Sequence, residues 1–261
     1  MSTPEVEAPR ARALRERYAA ADLDVLSVEE RRRFVVAGGD DPQREAPLAW
    51  ELLYRLEPAL YDRLVRAERV HPAVLRWLPE RAERIVEVGA GSGRLTRELV
   101  DRARELVAIE PAAPLRELLT RRLHRGVDGS RVRVRDGFFD ALPLPADWAD
   151  LVVACSAFTP EPGHGGEAGL AEMERVCKPG GLVALVWPNN LDWLARRGYE
   201  HVTFAGEMFV EFASAAEAAE LVAIFYPHAL AAVRDSGARR VSYEALGINP
   251  PRDVAFKVLA R

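Results

Sequence analysis

The chain of 261 residues is short of lysine, cysteine and histidine, and each shortage narrows what it can be. Of its 36 basic residues only Lys178 and Lys257 are lysines, a skew that reads first as codon bias of the lineage. The two cysteines, Cys155 and Cys177, each sit in an apolar segment, and no CxxC or CxxH pair exists. Buried, reduced thiols are therefore expected rather than a disulfide. His71, His124, His201 and His228 share no metal-ligand spacing, so no metal is expected. No run approaches the ~18 apolar residues of a membrane span. The opening MSTPEVEAPRARALRER is charged and lacks the apolar stretch of a secretion signal, so a cytoplasmic protein without a membrane partner is expected. An excess of positive charge is missing too. The formal net charge of −4 leaves no global basic footprint, and nucleic acid is not an expected partner.

What is present suits a folded enzyme-sized domain. Hydrophobic residues make up 49% of the chain, enough to fill the core of one domain, with or without an extension. Residues 1 to about 12 are polar and read as frayed. From there to about Trp77 the patterns are helical. SVEE at Ser27–Glu30 is a capping box, with a helix stop expected at Gly38-Gly39. Further helical stretches are LAWELLYRL and PALYDRLVRAE, the latter with Pro58 in its first turn.

At Arg84 the texture changes to short apolar runs, at 84–88, 105–109, 131–134, 150–155 and 182–187. Helical patterns at 94–104, 112–124 and 166–177 lie between them. This alternation predicts a parallel sheet with helices on both faces. In RVRVRD, Val132 and Val134 alternate with Arg131, Arg133 and Arg135, which places that strand at a sheet edge. After Trp187 the signals mix. AAEAAELVAIFYPHALAAVRDSG reads as a helix bent at Pro227. The closing ARRVSYEALGINPPRDVAFKVLA reads as a hairpin that finishes the sheet.

The densest signal is IVEVGAGSGRLT, Ile85–Thr96. Its glycines stand at Gly89, Gly91 and Gly93, and Arg94 occupies the third-glycine position of the dinucleotide fingerprint G-x-G-x-x-G. Glu87 beside the loop disfavours a pyrophosphate and suits a ligand with an ammonium or other cation. A dinucleotide is thereby excluded as the expected ligand.

This stretch resembles motif I of the class I S-adenosylmethionine-dependent methyltransferases, in the style of their small-molecule "type 11" members. Further landmarks follow in that family's order: VAIEP ending in Glu110 and Pro111, RDGFFDALPLPADWADLVVACSAF with Asp136, and MERVCKPGGLVALVWP. The resemblance covers residues 84 to about 188. It implies an α/β, Rossmann-like, mostly parallel seven-stranded sheet with helices on both faces and an N-terminal helical extension. The expected division is 1–78, helices covering the cofactor site, and 79–261, the methyltransferase domain.

The implied cofactor is S-adenosyl-L-methionine. Gly89, Ala90, Gly91 and Gly93 would let backbone approach its methionine part, and the first amides of a helix beginning near Arg94 would meet its carboxylate. Glu87 would take up the ammonium, and Glu110 the ribose hydroxyls. Asp136, with Gly137, would bind the adenine amino group. Phe138 either covers the adenine or fills the core. Ser156, Ala157 and Phe158, after the fourth strand, would line the cofactor.

The sulfonium is already activated, so the enzyme supplies geometry and a dry pocket, with a base only where the acceptor keeps its proton. His164, in the loop after the fourth strand, is either that base or a solvated loop residue. Asn189 and Asn190 either orient a substrate or cap the next helix. Tyr61, in a YDR that resembles a family element, packs over the cofactor or in the core. The aromatics of 193–226 form core or a lid. The expected partner is a small-molecule methyl acceptor. A protein or nucleic-acid acceptor, and a non-catalytic cofactor-binding protein on the same scaffold, are the competing readings.

Overall fold

The computed structural model describes residues 14, 16–34, 46–126 and 131–260. The expected frayed segment 1–12 and the helix stop at Gly38-Gly39 fall outside them. In chain order the strands are β1 (Ala82–Val88), β2 (Ala103–Ile109), β3 (Val132–Arg135), β4 (Ala149–Cys155) and β5 (Cys177–Val186). They are followed by β6 (Glu200–Thr203), β7 (Phe209–Glu211), β8 (Arg240–Ser242) and β9 (Asp253–Val258). Two compact units result, Val70–Ala205 with Pro251–Arg261, and Met1–Arg69 with Gly206–Pro250.

The first unit is built on a seven-stranded sheet of order β3-β2-β1-β4-β5-β9-β6. β1 to β5 run parallel, while β9 is antiparallel to both β5 and β6. Helices cover both faces, and this explains the continuous apolar runs. On one face Ile85, Leu106, Leu151 and Val153 pack with Leu95, Leu99, Leu119 and Leu123. On the other, Val86, Val107, Val152 and Ala154 pack with Leu170, Met173 and Val176 of the helix Gly166–Val176. The arginine-bearing β3 lies at the edge, as its one charged face requires.

The closing hairpin does not form. β8 pairs with β7 in a separate two-stranded ribbon, and β9 inserts between β5 and β6. Alternation along a strand fixes which side chains face the core, but it does not name the strand that will sit beside it.

The other unit joins the N-terminal helices to the segment between β6 and β9. Ser27 and Glu30 make the expected reciprocal cap: the Ser27 amide donates to the Glu30 carboxylate at 2.8 Å and the Glu30 amide to the Ser27 hydroxyl at 3.1 Å. Arg63, on the helix Pro58–Ala67, donates to Glu217 at 2.9 Å and to Glu220 at 2.8 and 2.6 Å on the helix Ala215–Phe225. The Tyr226 hydroxyl donates to the buried Glu68 carboxylate. At Pro227 the helical run breaks into a 3-10 turn, Pro227–Ala229, before resuming at Leu230–Ser236. Segment 206–250 thus packs with the N-terminal helices, while the helix Pro72–Trp77 belongs to the sheet unit. No helix among the described residues is long and apolar enough to cross a membrane.

Candidate functional site

The candidate residues gather at the carboxyl ends of β1, β2, β3 and β4, where ligands of open α/β sheets bind. Beyond Val88 the chain turns over the end of β2, with the amides of Gly89 and Ala90 both donating to the Ile109 carbonyl, at 2.9 and 3.0 Å. Gly89 has φ +71°, and a Cβ there would stand 2.7 Å from the Ala157 Cβ in the loop after β4. Gly93 has φ +95°, and a Cβ would meet Leu119 Cδ1 at 2.6 Å. Both positions demand glycine, for conformation and for space.

The helix expected over 94–104 is much shorter. Residues 91–95 are turns, the α-helix spans only Thr96–Leu99, and a 3-10 turn, Val100–Arg102, leads directly into β2. Because β2 starts at Ala103, only two short turns fit, and the idea of a helix N-terminus meeting the cofactor carboxylate loses its helix.

Two buried acids flank the loop. The Glu110 carboxylate accepts from the Gly91 amide at 2.8 Å and from the Ala112 amide at 2.9 Å, one oxygen each. Glu87 is 1% exposed and accepts from the Thr96 hydroxyl at 2.6 Å. Burial pushes its carboxyl up to about 8, and the Glu110 charge adds to that while the Thr96 hydrogen bond works the other way. Asp136 lies at the end of β3, its side chain 68% exposed and ion-paired with Arg116 at 2.8 Å. Phe138 is half-buried, whereas its neighbour Phe139 packs edge-on against Phe158 at 5.0 Å.

The loop after β4 sorts its residues differently from expectation. Ser156 is exposed and has φ +55°, a strained value for a non-glycine residue, with its amide donating to the Val186 carbonyl at 2.9 Å. Phe158, expected to line the cofactor, is 5% exposed. Its ring fills the space where Cβ atoms of Gly165 and Gly169 would be, so it anchors the loop to the core. His164 closes a 3-10 turn, Pro162–His164, half-buried rather than solvated. Burial pushes its imidazole down to about 4, so the ring is neutral throughout the physiological range.

After β5, Asn190 caps the helix Leu191–Ala195 by accepting from the Trp193 amide at 2.8 Å. Asn189 donates to the Phe158 carbonyl at 3.1 Å and braces the preceding loop. Trp187, at the end of β5, has φ +54°, and the Arg94 guanidinium lies over its ring at 5.2 Å. Trp193 and Tyr199 are buried in the sheet unit, Phe212, Phe225 and Tyr226 in the other, so this part of the 193–226 aromatics is core. Tyr61 packs edge-on against Tyr54 at 4.7 Å within the N-terminal helices. Sequence reasoning missed Thr96 and Arg116. Thr96 closes the glycine motif itself, whereas nothing in the pattern around Arg116 sets it apart from the other arginines of its helix.

Residues 85–181 match the model of a family described as a methyltransferase domain, and this stretch of the sheet unit is similar to class I S-adenosylmethionine-dependent methyltransferases, whose cofactor is S-adenosylmethionine. Over 132 residues the chain is 30% identical to an uncharacterized methyltransferase of Mycobacterium tuberculosis, covering 49% of this chain and 50% of that protein. Over 134 residues it is 29% identical to an uncharacterized methyltransferase of Schizosaccharomyces pombe, covering 48% and 50%. The chain thus spans about half the length of these curated relatives. A solved chain from the complex between the Haloferax volcanii Trm112 methyltransferase activator and a methyltransferase shares the fold, with a TM-score of 0.52 at 17% identity, covering 81% of this chain and 98% of that one.

Proposed function

We propose that this protein transfers a methyl group from S-adenosylmethionine to a small-molecule acceptor, an activity of the methyl-transferring class 2.1.1. The observation that carries the reading is the Glu110 carboxylate, fixed beside the glycine loop by the amides of Gly91 and Ala112. A carboxylate oxygen can accept more than one hydrogen bond, so a carboxylate held there by one amide per oxygen suits a pair of ribose hydroxyls. The residues present therefore fit the cofactor. Gly89, Ala90, Gly91 and Gly93 would face its methionine part and Glu87 its ammonium. Glu110 with Pro111 would hold the ribose, Asp136 with Gly137 and Phe138 the adenine, and Ser156 the nearby wall. The Glu110 carboxylate opposes a pyrophosphate, and Glu87, held protonated by burial, gains a charge most readily beside a cationic ligand.

When bound, the cofactor supplies an activated methyl sulfonium, and the chain's own task is orientation and exclusion of water. His164 is neutral at physiological pH, and the same burial lowers its affinity for a proton, so as a base toward an acceptor hydroxyl it is a weak one. A small acceptor is favoured because the net charge of −4 provides no general attraction for nucleic acid.

Calorimetry with S-adenosylmethionine, S-adenosylhomocysteine, NAD and NADP tests the cofactor. Binding of the first two alone is expected, and tighter binding of a dinucleotide overturns the reading. A metabolite screen for conversion to S-adenosylhomocysteine tests the transfer. Cofactor binding without turnover on any small molecule would move the assignment to a macromolecular acceptor or a non-catalytic binding protein.

A further inference from the structure

We infer that Arg116 is a positioning residue that locks together the two strand ends expected to hold the adenosine and sets a preference for a 6-amino purine. This rests on the cofactor reading above. A single terminal nitrogen, Nη1, donates to the Glu110 carbonyl at 2.8 Å, to the Pro111 carbonyl at 2.6 Å and to the Asp136 carboxylate at 2.8 Å. Glu110 and Pro111 follow β2, and Asp136 follows β3, so one side chain ties the ends of two neighbouring strands.

The placement works against local electrostatics. Arg116 lies in the first turn of the helix Ala113–Gly126, where the helix dipole disfavours a cation. Three oxygen acceptors hold it there. The same helix sends Arg122 to the Ser92 carbonyl of the glycine loop at 2.9 Å, so it braces both parts of the candidate site. Stability does not explain the ion pair, since exposed pairs contribute little and Asp136 is 68% exposed. Its effect is geometric. A carboxylate at a strand end has several rotamers open to it, and the guanidinium selects one. A carboxylate only accepts hydrogen bonds, so an amino group at purine position 6 is a partner and an oxo group is repelled.

The test is calorimetric titration of the full chain with S-adenosylhomocysteine and with S-inosylhomocysteine, its 6-oxo analogue. The parent protein should prefer the amino ligand by roughly tenfold or more. Arg116→Gln should bring that ratio close to one, and Asp136→Asn should abolish or reverse it. Combining the two should change the ratio no further than Asp136→Asn does. Arg116→Lys, one atom shorter, cannot reach all three oxygens and should give an intermediate ratio. It also serves if the glutamine variant does not fold. A purely structural role weakens both ligands equally, so a parental ratio in Arg116→Gln or Arg116→Lys overturns the clamp while leaving the cofactor reading intact. Failure of both ligands to bind the parent protein overturns the cofactor reading itself, and the clamp with it.

Discussion

Glu87 and Glu110 stand at the ends of adjacent parallel strands, and for each a buried charge carries a cost that only its surroundings can offset. For Glu110 the offset is two backbone amides. Glu110→Gln keeps the shape but loses charge assistance, and should weaken S-adenosylhomocysteine binding by about 1.5–3 kcal/mol in calorimetry while the protein stays folded. Glu87 is different, because its carboxyl is raised from 4.5 to about 8. Between those values the folded chain holds a proton that the unfolded chain has released, so stability is highest below 4.5 and falls as pH rises toward 8. Denaturant unfolding of the ligand-free protein should show that decline, amounting to a few kcal/mol at most. Glu87→Gln should flatten it, and an unchanged slope would mean that the carboxyl is not the group responsible. His164 carries the opposite shift, down to about 4. If it takes a proton from the acceptor, turnover should show no acid limb near the ordinary histidine value of roughly 6.5, and His164→Ala should slow it about a hundredfold. A limb near 6.5 that survives the substitution would assign the proton to another group.

At the scale of elements, the sheet's parallel core was legible because burial on both faces forces apolar runs at 84–88, 105–109, 150–155 and 182–187, and all four lie within or overlap observed strands. The edge position of β3 followed from the arginines on its outward face. The site was legible where one residue type is compulsory, as at Gly89 and Gly93. It was not legible where context decides. Phe158 is apolar beside a ligand edge, and only the glycines at 165 and 169 reveal that its ring is taken up by the core. β8 carries a strand pattern, yet its partner β7 lies some thirty residues earlier in the sequence rather than next along the chain. The β3 edge itself gives a prediction. Arg133 is 60% exposed and pairs with Glu105 at 3.2 Å. Replacing Arg131 and Arg133 with valine leaves an apolar edge strand and should promote association between copies. Size-exclusion chromatography at increasing concentration would show it, and a monodisperse variant identical to the parent would remove the arginines from that protective role.

The chain divides into two compact units, each made from two separate stretches of sequence. Every candidate cofactor residue lies in the sheet unit, and the other unit depends on both of its parts. Leu221, Val222, Phe225 and Tyr226 are each at most 1% exposed, and Trp50 stacks on Phe225 with ring centroids 6.1 Å apart. Removing residues 1–69 alone strips partners from that apolar face, at about 1.5–3 kcal/mol for each large side chain exposed. The truncated protein should therefore aggregate. Removing both parts is a different matter. β6 and β9 are antiparallel neighbours in which Thr203 pairs with Asp253, and the Phe204 amide donates to the Arg252 carbonyl at 3.0 Å. A short turn can thus replace 206–250 without moving either strand. The sheet unit keeps apolar cores on both of its faces, so the doubly deleted chain should be soluble and melt cooperatively. Circular dichroism and solubility of the two deletions, measured side by side, separate the cases. A soluble, folded 70–261 fragment would show that segment 206–250 does not need the N-terminal helices, and a doubly deleted chain that fails to fold would show that the sheet unit is not self-sufficient.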